Sequence, residues 1–183
     1  MILPPSPLIR AATEADSGEI GRVHVAAWRE TYPGLMPPHI LEAQSADARA
    51  EQWRTGLARG TKGPIVFVAE NPEGSLAGFG AAGPAREAGR NWQAEIHALY
   101  ILRSSQRQGI GLTLMRQLAR ALKERDRHTV GLWVLTANAP ARAFYERIGG
   151  WPDERRTDES EGWSCDETAY VWEDFPRALE SAQ

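Results

Sequence analysis

Cysteine is almost missing from this 183-residue chain, where Cys165 stands alone. A single thiol forms no internal disulfide and has no partners at zinc-ligand spacing, which fits a reducing compartment. No activating motif surrounds it, so it reads as a half-buried strand residue and not a catalytic thiol. An excess of positive charge is missing as well. The 21 Lys and Arg against 24 Asp and Glu leave a net charge of −3 and a pI near 5.8. That balance argues against nucleic acid as a partner. Long hydrophobic runs are also missing: no apolar stretch approaches the roughly 20 residues of a membrane helix. Met1-Ile2-Leu3-Pro4-Pro5 lacks the basic start of an export signal. The chain is therefore expected to be soluble, unexported and cytoplasmic, with no membrane partner. Internal repeats, low-complexity linkers and composition breaks are absent, so residues 1–183 read as one domain. Their 42% hydrophobic content can build its core.

What is present alternates between two periodicities. Leu8 to Ala12 reads as a strand, with Asp16 or Ser17 as a helix cap. Ile20, Val23, His24, Ala27 and Trp28 then follow helical spacing. Pro33-Gly34 breaks that helix, Pro37-Pro38 opens a short one, and Ser45 caps a third that runs from about Asp47 to Leu57. Ile65 to Glu70 is a short, continuous, β-branched run, the pattern of a buried strand. The turn Asn71-Pro72-Glu73-Gly74 leads into a glycine-containing strand, Leu76 to Ala82, and Trp92 to Leu102 returns as a longer one. Ile110, Leu114, Leu118 and Leu122 recur every fourth residue, which describes an amphipathic helix. Val130 to Leu135 is the next strand and Ala139 to Ile148 the next helix. In the tail, Asp153-Glu154, Asp158-Glu159 and Glu161 read as solvated, turn-like acidic stretches before a last strand, Thr168 to Trp172. The order implies a mixed α/β domain.

Two segments carry chemistry. The first is Gln106-Arg107-Gln108-Gly109-Ile110-Gly111, between a strand and a helix. Such a turn points main-chain N–H groups into one concavity, where the helix dipole favours an anion such as phosphate. Gly109 and Gly111 remove side chains where a ligand approaches the main chain, and Gln106, Arg107 and Gln108 add donors. A dinucleotide fingerprint requires glycine where Leu114 stands, and a Walker loop requires Lys-Ser/Thr where Leu112-Thr113 stand. The second segment is Asn138 to Gly149. Asn138 and Tyr145, seven residues apart, share a helix side. Asn138 also suits a cap, and Tyr145 beside Phe144 suits the core. A positioned tyrosine is in addition a competent general acid.

In these motifs the chain resembles the GNAT superfamily of acetyl-CoA-dependent N-acetyltransferases, from about Leu8 to Trp172. The family's Q/R-x-x-G-x-G/A turn, which seats the coenzyme pyrophosphate, is matched by Gln106, Gly109 and Gly111. Its A-N-x-x-A-x-x-F-Y-x-x-x-G pattern is matched by Ala137, Asn138, Ala141, Phe144, Tyr145 and Gly149. The resemblance implies a mostly antiparallel central sheet flanked by helices, with a splayed strand pair at the acyl-CoA site. Leu99, Tyr100 and Ile101 would offer main-chain groups to the pantetheine arm. Ile110, Leu112, Asn138 and Phe144 would complete the coenzyme site. Three departures stand out. Arg103 replaces a frequent proline, Arg107 replaces a frequent glycine, and Gly150-Trp151 replaces a single aromatic.

The resemblance further implies direct transfer from acetyl-CoA, without a metal, to an amine of a small molecule or peptide within a ternary complex. Tyr145 would be the acid, a main-chain N–H near Leu99 would polarise the carbonyl, and Glu95 or His97 would accept the amine proton. Glu95 could instead bind the substrate ammonium. Trp28, Glu30 and Tyr32 lie in the segment that borders the acceptor pocket in many relatives. A non-catalytic acetyl-CoA sensor or an interaction domain of the same fold is the alternative. Dimerisation is common among similar proteins, and no residue here establishes it.

Overall fold

Alternation within one short run sets the layering. The computed structural model describes residues 7–87, 89–160 and 162–182. In the strand β2 (Ile65–Glu70), Ile65, Phe67 and Ala69 point to one face of a central sheet, while Val66 and Val68 point to the other. A strand buried on both faces has no polar side to alternate with, which explains its continuous apolar sequence. The first face is covered by α4 (Ile110–Lys123), whose Leu114, Met115, Leu118 and Leu122 are buried, and by α5 (Ala139–Arg147). The second is covered by α1 (Ser17–Thr31) through Ile20 and Val23. The helices α2 (Pro38–Glu42) and α3 (Ala46–Leu57) follow α1, and α3 packs on it.

The seven-stranded sheet has the order β1-β2-β3-β4-β5-β7-β6, with β1 at Leu8–Ala11, β3 at Leu76–Gly83, β4 at Ala94–Ile101, β5 at Val130–Leu135, β6 at Trp151–Ser160 and β7 at Trp163–Trp172. All neighbours run antiparallel except β4 and β5. These two pair only at Ala94 with Val130 and Glu95 with Gly131, then diverge. Gly131 is at the vertex of the divergence. A Cβ placed there would lie 1.9 Å from the Trp92 ring, so only glycine admits that ring.

Three features differ from the reading of the sequence. The acidic stretch after Gly149 is not a set of turns: residues 151–160 form β6, paired along β7. Cross-strand ion pairs replace the missing apolar alternation, as Arg156 binds Glu167 on β7 and Glu87. Glu161 lies outside the described residues, as do Met1 to Pro5. A last helix, α6 (Phe175–Ser181), follows β7, with Asp174 Oδ1 accepting from Arg177 N at 3.2 Å. Phe175 and Leu179 are fully buried, and the Arg116 guanidinium bonds the carbonyls of Leu179 and Ala182. Asp16 stands at the N-cap position of α1, as expected, but its side chain makes no capping bond to that helix. Its carboxylate accepts from Thr13 N at 2.7 Å and pairs with Arg10, which holds it down at a pKa of about 2.

Candidate active site

Strands that diverge leave main-chain groups without a ladder. Leu102 N–H donates to Ala77 O on β3 at 2.9 Å, and groups alternate sides along a strand, so Ile101 and Leu99 turn theirs toward the open side. Ile101 O there accepts from Gln106 Nε2 at 3.0 Å. The wedge between β4 and β5 continues into a cleft of about 910 Å³. At its mouth stands the N-terminus of α4. Gly109 takes the left-handed conformation (φ 80°), and Arg107 takes it too (φ 63°). Thr113 N–H makes an early helical bond, to Gly109 O at 3.0 Å. The N–H groups of Ile110, Gly111 and Leu112 precede it, where an α-helix leaves its donors unspent. Arg103, Arg107 and Arg147 line the same cleft. Donors, dipole and guanidinium groups together suit a phosphate-bearing ligand.

Across the wedge, α5 supplies Phe144 and Tyr145. Asn138 is buried and caps that helix, its Oδ1 accepting from Ala141 N at 3.2 Å. Tyr145 is 9% exposed, lines the cleft, and packs against Phe144, Tyr170 and Trp172. Burial, followed by the neighbouring Tyr100, pushes its hydroxyl well above the ordinary tyrosine range. The phenol is thus protonated at neutral pH, the state an acid requires.

Glu95 and His97 occupy different environments. Glu95 is 1% exposed and outside the cleft wall, and Arg86 holds it with three donors: its main-chain N–H at 2.9 Å, Nε at 2.7 Å and Nη2. This pair is invisible in sequence because a loop brings Arg86 back over β4. His97 lines the cleft, and its Nε2 lies 2.9 Å from Pro84 O. A carbonyl only accepts, so that geometry assigns the proton to Nε2 and leaves Nδ1 with a lone pair. Burial lowers the pKa of the ring, so it is neutral at pH 7.

Of the remaining expected residues, Trp28, Glu30, Tyr32, Leu99, Tyr100, Gln106, Ile110, Gly111 and Leu112 all border the cleft. Gln108 does not; its Nε2 donates to Ser104 O at 3.3 Å. Glu30 turns its carboxylate to Arg103 N–H at 2.7 Å. Tyr32 pairs its hydroxyl with that of Tyr100, and burial raises both groups. His24, which helical spacing placed on the inner side of α1, also reaches this wall and stacks on Tyr100 with ring centroids 4.8 Å apart.

The β6–β7 ribbon supplies a wall that sequence reasoning missed. Arg156, Asp158, Trp163, Cys165 and Glu167 alternate inward to line the cleft, with Ser164 and Asp166 turned out. Trp163 crosses to pack against Met36, Ile40 and Leu41, roofing one end. The Cys165 thiol, pushed up to about 11 by burial and nearby carboxylates, stays protonated at neutral pH.

A helix start with unspent N–H donors thus stands at the mouth of a split sheet, and a protonated tyrosine lines the same cleft. The model of the Acetyltransferase (GNAT) family matches residues 25–150, and the chain belongs to that family. An uncharacterized N-acetyltransferase of Bacillus subtilis is 32% identical over 138 residues, covering 75% of this chain and 76% of that protein. A probable N-acetyltransferase of Mycobacterium tuberculosis is 32% identical over 141 residues, 76% of each. Among solved structures, the PaiA N-acetyltransferase of Thermoplasma acidophilum in complex with coenzyme A superposes with a TM-score of 0.70. Its identity is 19%, over 92% of this chain and all of that one. YncA of Salmonella typhimurium with acetyl-CoA gives 0.68 at 20% identity, over 92% and 94%. This chain is a GNAT-type N-acetyltransferase.

Proposed function

We propose that the chain transfers the acetyl group of acetyl-CoA to a primary amine of a small molecule or peptide by direct attack within a ternary complex. The single observation that carries this reading is the β4/β5 wedge. It opens strand-edge groups of Leu99 and Ile101 between the α4 N-terminus and Tyr145. The pyrophosphate fits the Gln106–Leu112 turn, and the amide-bearing pantetheine arm fits the unladdered edge of β4. The roof formed by Trp163 favours an amine that enters end-first over a chain lying across the cleft.

The amine nitrogen attacks the thioester carbon, the N–C bond forms, and the C–S bond breaks. A main-chain N–H of β4 near Leu99 stabilises the developing oxyanion, and Tyr145 gives its phenolic proton to the departing sulfur. The proton lost by the amine goes to His97 Nδ1, directly or through water. We assign this role to His97 because Arg86 occupies the Glu95 carboxylate. Glu95 then holds the Arg86 loop that presents Pro84 O to His97.

A coupled CoA-release assay over a broad amine panel tests the reading. With an accepted amine, Tyr145→Phe is expected to lower kcat about a hundredfold. His97→Gln is expected to abolish the acidic limb of the kcat/KM profile, and Glu95→Gln to keep it. CoA binding without CoA release on any amine would replace the transferase with a sensor.

A further inference from the structure

Glu30 lies in the last turn of α1, and Arg103 opens the 3-10 turn Arg103–Ser105 that leaves β4. They are 73 positions apart in the chain. Arg103 N–H donates to Glu30 Oε2 at 2.7 Å, and Arg103 Nη2 donates to Glu30 O. Each side chain therefore bonds the main chain of the other residue. The groups involved are of the kind that helix ends leave over, an N–H at the start of a turn and a carbonyl at the end of a helix. A guanidinium at a helix C-terminus is also favoured by the dipole.

Both residues line the cleft, Glu30 from the end of α1 and Arg103 from the turn that leaves β4. Two positions from Glu30 on either side are Trp28 and Tyr32, on the wall that would face the acceptor. Three positions after Arg103 begins the Gln106–Leu112 turn. We propose that Glu30 and Arg103 form a positioning clamp through which occupancy of the phosphate turn fixes the acceptor wall, so that acyl-CoA binding prepares the amine site. This rests on the acyl-CoA reading above. The clamp uses both groups of Arg103, its main-chain N–H and its guanidinium, and proline has neither.

That same position offers a clean test. Leu102 has φ −56° and ψ 140°, the conformation a residue before proline adopts, and proline is favoured at the first position of a helical turn. Arg103→Pro thus removes both bonds while suiting the backbone conformation of Leu102, with the Glu30 side chain displaced by the ring. Glu30→Ala removes the carboxylate leg alone, and Glu30→Gln keeps an oxygen for Arg103 N–H. The measurements are calorimetric titration with CoA and amide hydrogen exchange of residues 28–36 with and without CoA, after thermal unfolding has confirmed that each variant is folded. In the unsubstituted chain, CoA is expected to slow exchange over Tyr32–Met36. In Arg103→Pro and Glu30→Ala that slowing is lost and Kd for CoA rises about fivefold. Glu30→Gln restores most of both. Equal slowing in Arg103→Pro, or none in the unsubstituted chain that binds CoA, overturns the clamp and leaves the acyl-CoA reading standing. Failure of the unsubstituted chain to bind CoA overturns both.

Discussion

His24 is 8% exposed, and its Nδ1 accepts the indole N–H of Trp53 at 3.1 Å. An indole only donates, so the bond needs an unprotonated Nδ1. Burial, assisted by Arg49, pushes the pKa of the ring down to about 3. In the unfolded chain the same ring titrates near 6.5. Between these values the unfolded chain binds a proton that the native chain does not. Stability from this group is complete above about pH 6.5 and falls as the pH drops toward 3, by up to about 1.4 kcal/mol per pH unit. His24→Gln keeps an acceptor for Trp53 and cannot titrate. Urea unfolding between pH 4 and 7 is expected to show a flatter slope for this variant, by up to one proton. An unchanged slope would mean that His24 is protonated in the native state.

Among the elements, the vertex of the wedge is the most sensitive point. Gly131→Ala drives a methyl group into Trp92 beside the last β4–β5 pair. We expect a loss of at least about 2 kcal/mol by denaturant unfolding, the range for overpacking a filled core; a loss below about 0.5 kcal/mol would show that Trp92 swings away freely. The elements also differ in how legible they were. Ile110, Leu114, Leu118 and Leu122 announce α4 because one face is dry and the other wet. Residues 65–70 announce β2 because both faces are dry. In β6, a sheet edge, almost every residue is exposed or half-exposed, so its sequence carries neither period, and its register is set by β7. The short α6 is similarly silent, since Phe175 and Leu179 are buried by tertiary contacts and not by a period the helix is long enough to show. For the site, local motifs disclosed the turn and the Asn138–Tyr145 helix. The Arg86–Glu95 pair, the Nε2 bond of His97 and the inward face of the β6–β7 ribbon are products of tertiary folding.

At the scale of the whole molecule, charge is distributed unevenly. The chain carries a net −3, yet Arg103, Arg107 and Arg147 all line the cleft that the start of α4 borders. A polyanionic ligand is thus attracted locally by a molecule that repels anions globally, and the attraction is screened within about 8 Å at physiological salt. Raising NaCl is expected to increase KM for acetyl-CoA with little change in kcat. Arg107→Gly should reduce that salt dependence. It also relieves a left-handed non-glycine residue costing about 1 kcal/mol, offset in part by glycine's entropy, so its stability should equal or slightly exceed that of the unsubstituted chain. A steeper salt dependence in the variant would place the attraction elsewhere.

The wedge between β4 and β5 has one more consequence. An unladdered strand edge is ordinarily an invitation to aggregate, because another chain can add a strand to it. Here that edge is enclosed: α1 side chains wall one side, α5 the other, and Trp163 closes an end. A foreign strand would have to bring its side chains into the gap. The β-alanyl-cysteamine end of a pantetheine arm, which has amides and no side chains, would not. The fold thus keeps an open edge in reserve inside the molecule, and thickness decides what may pair with it.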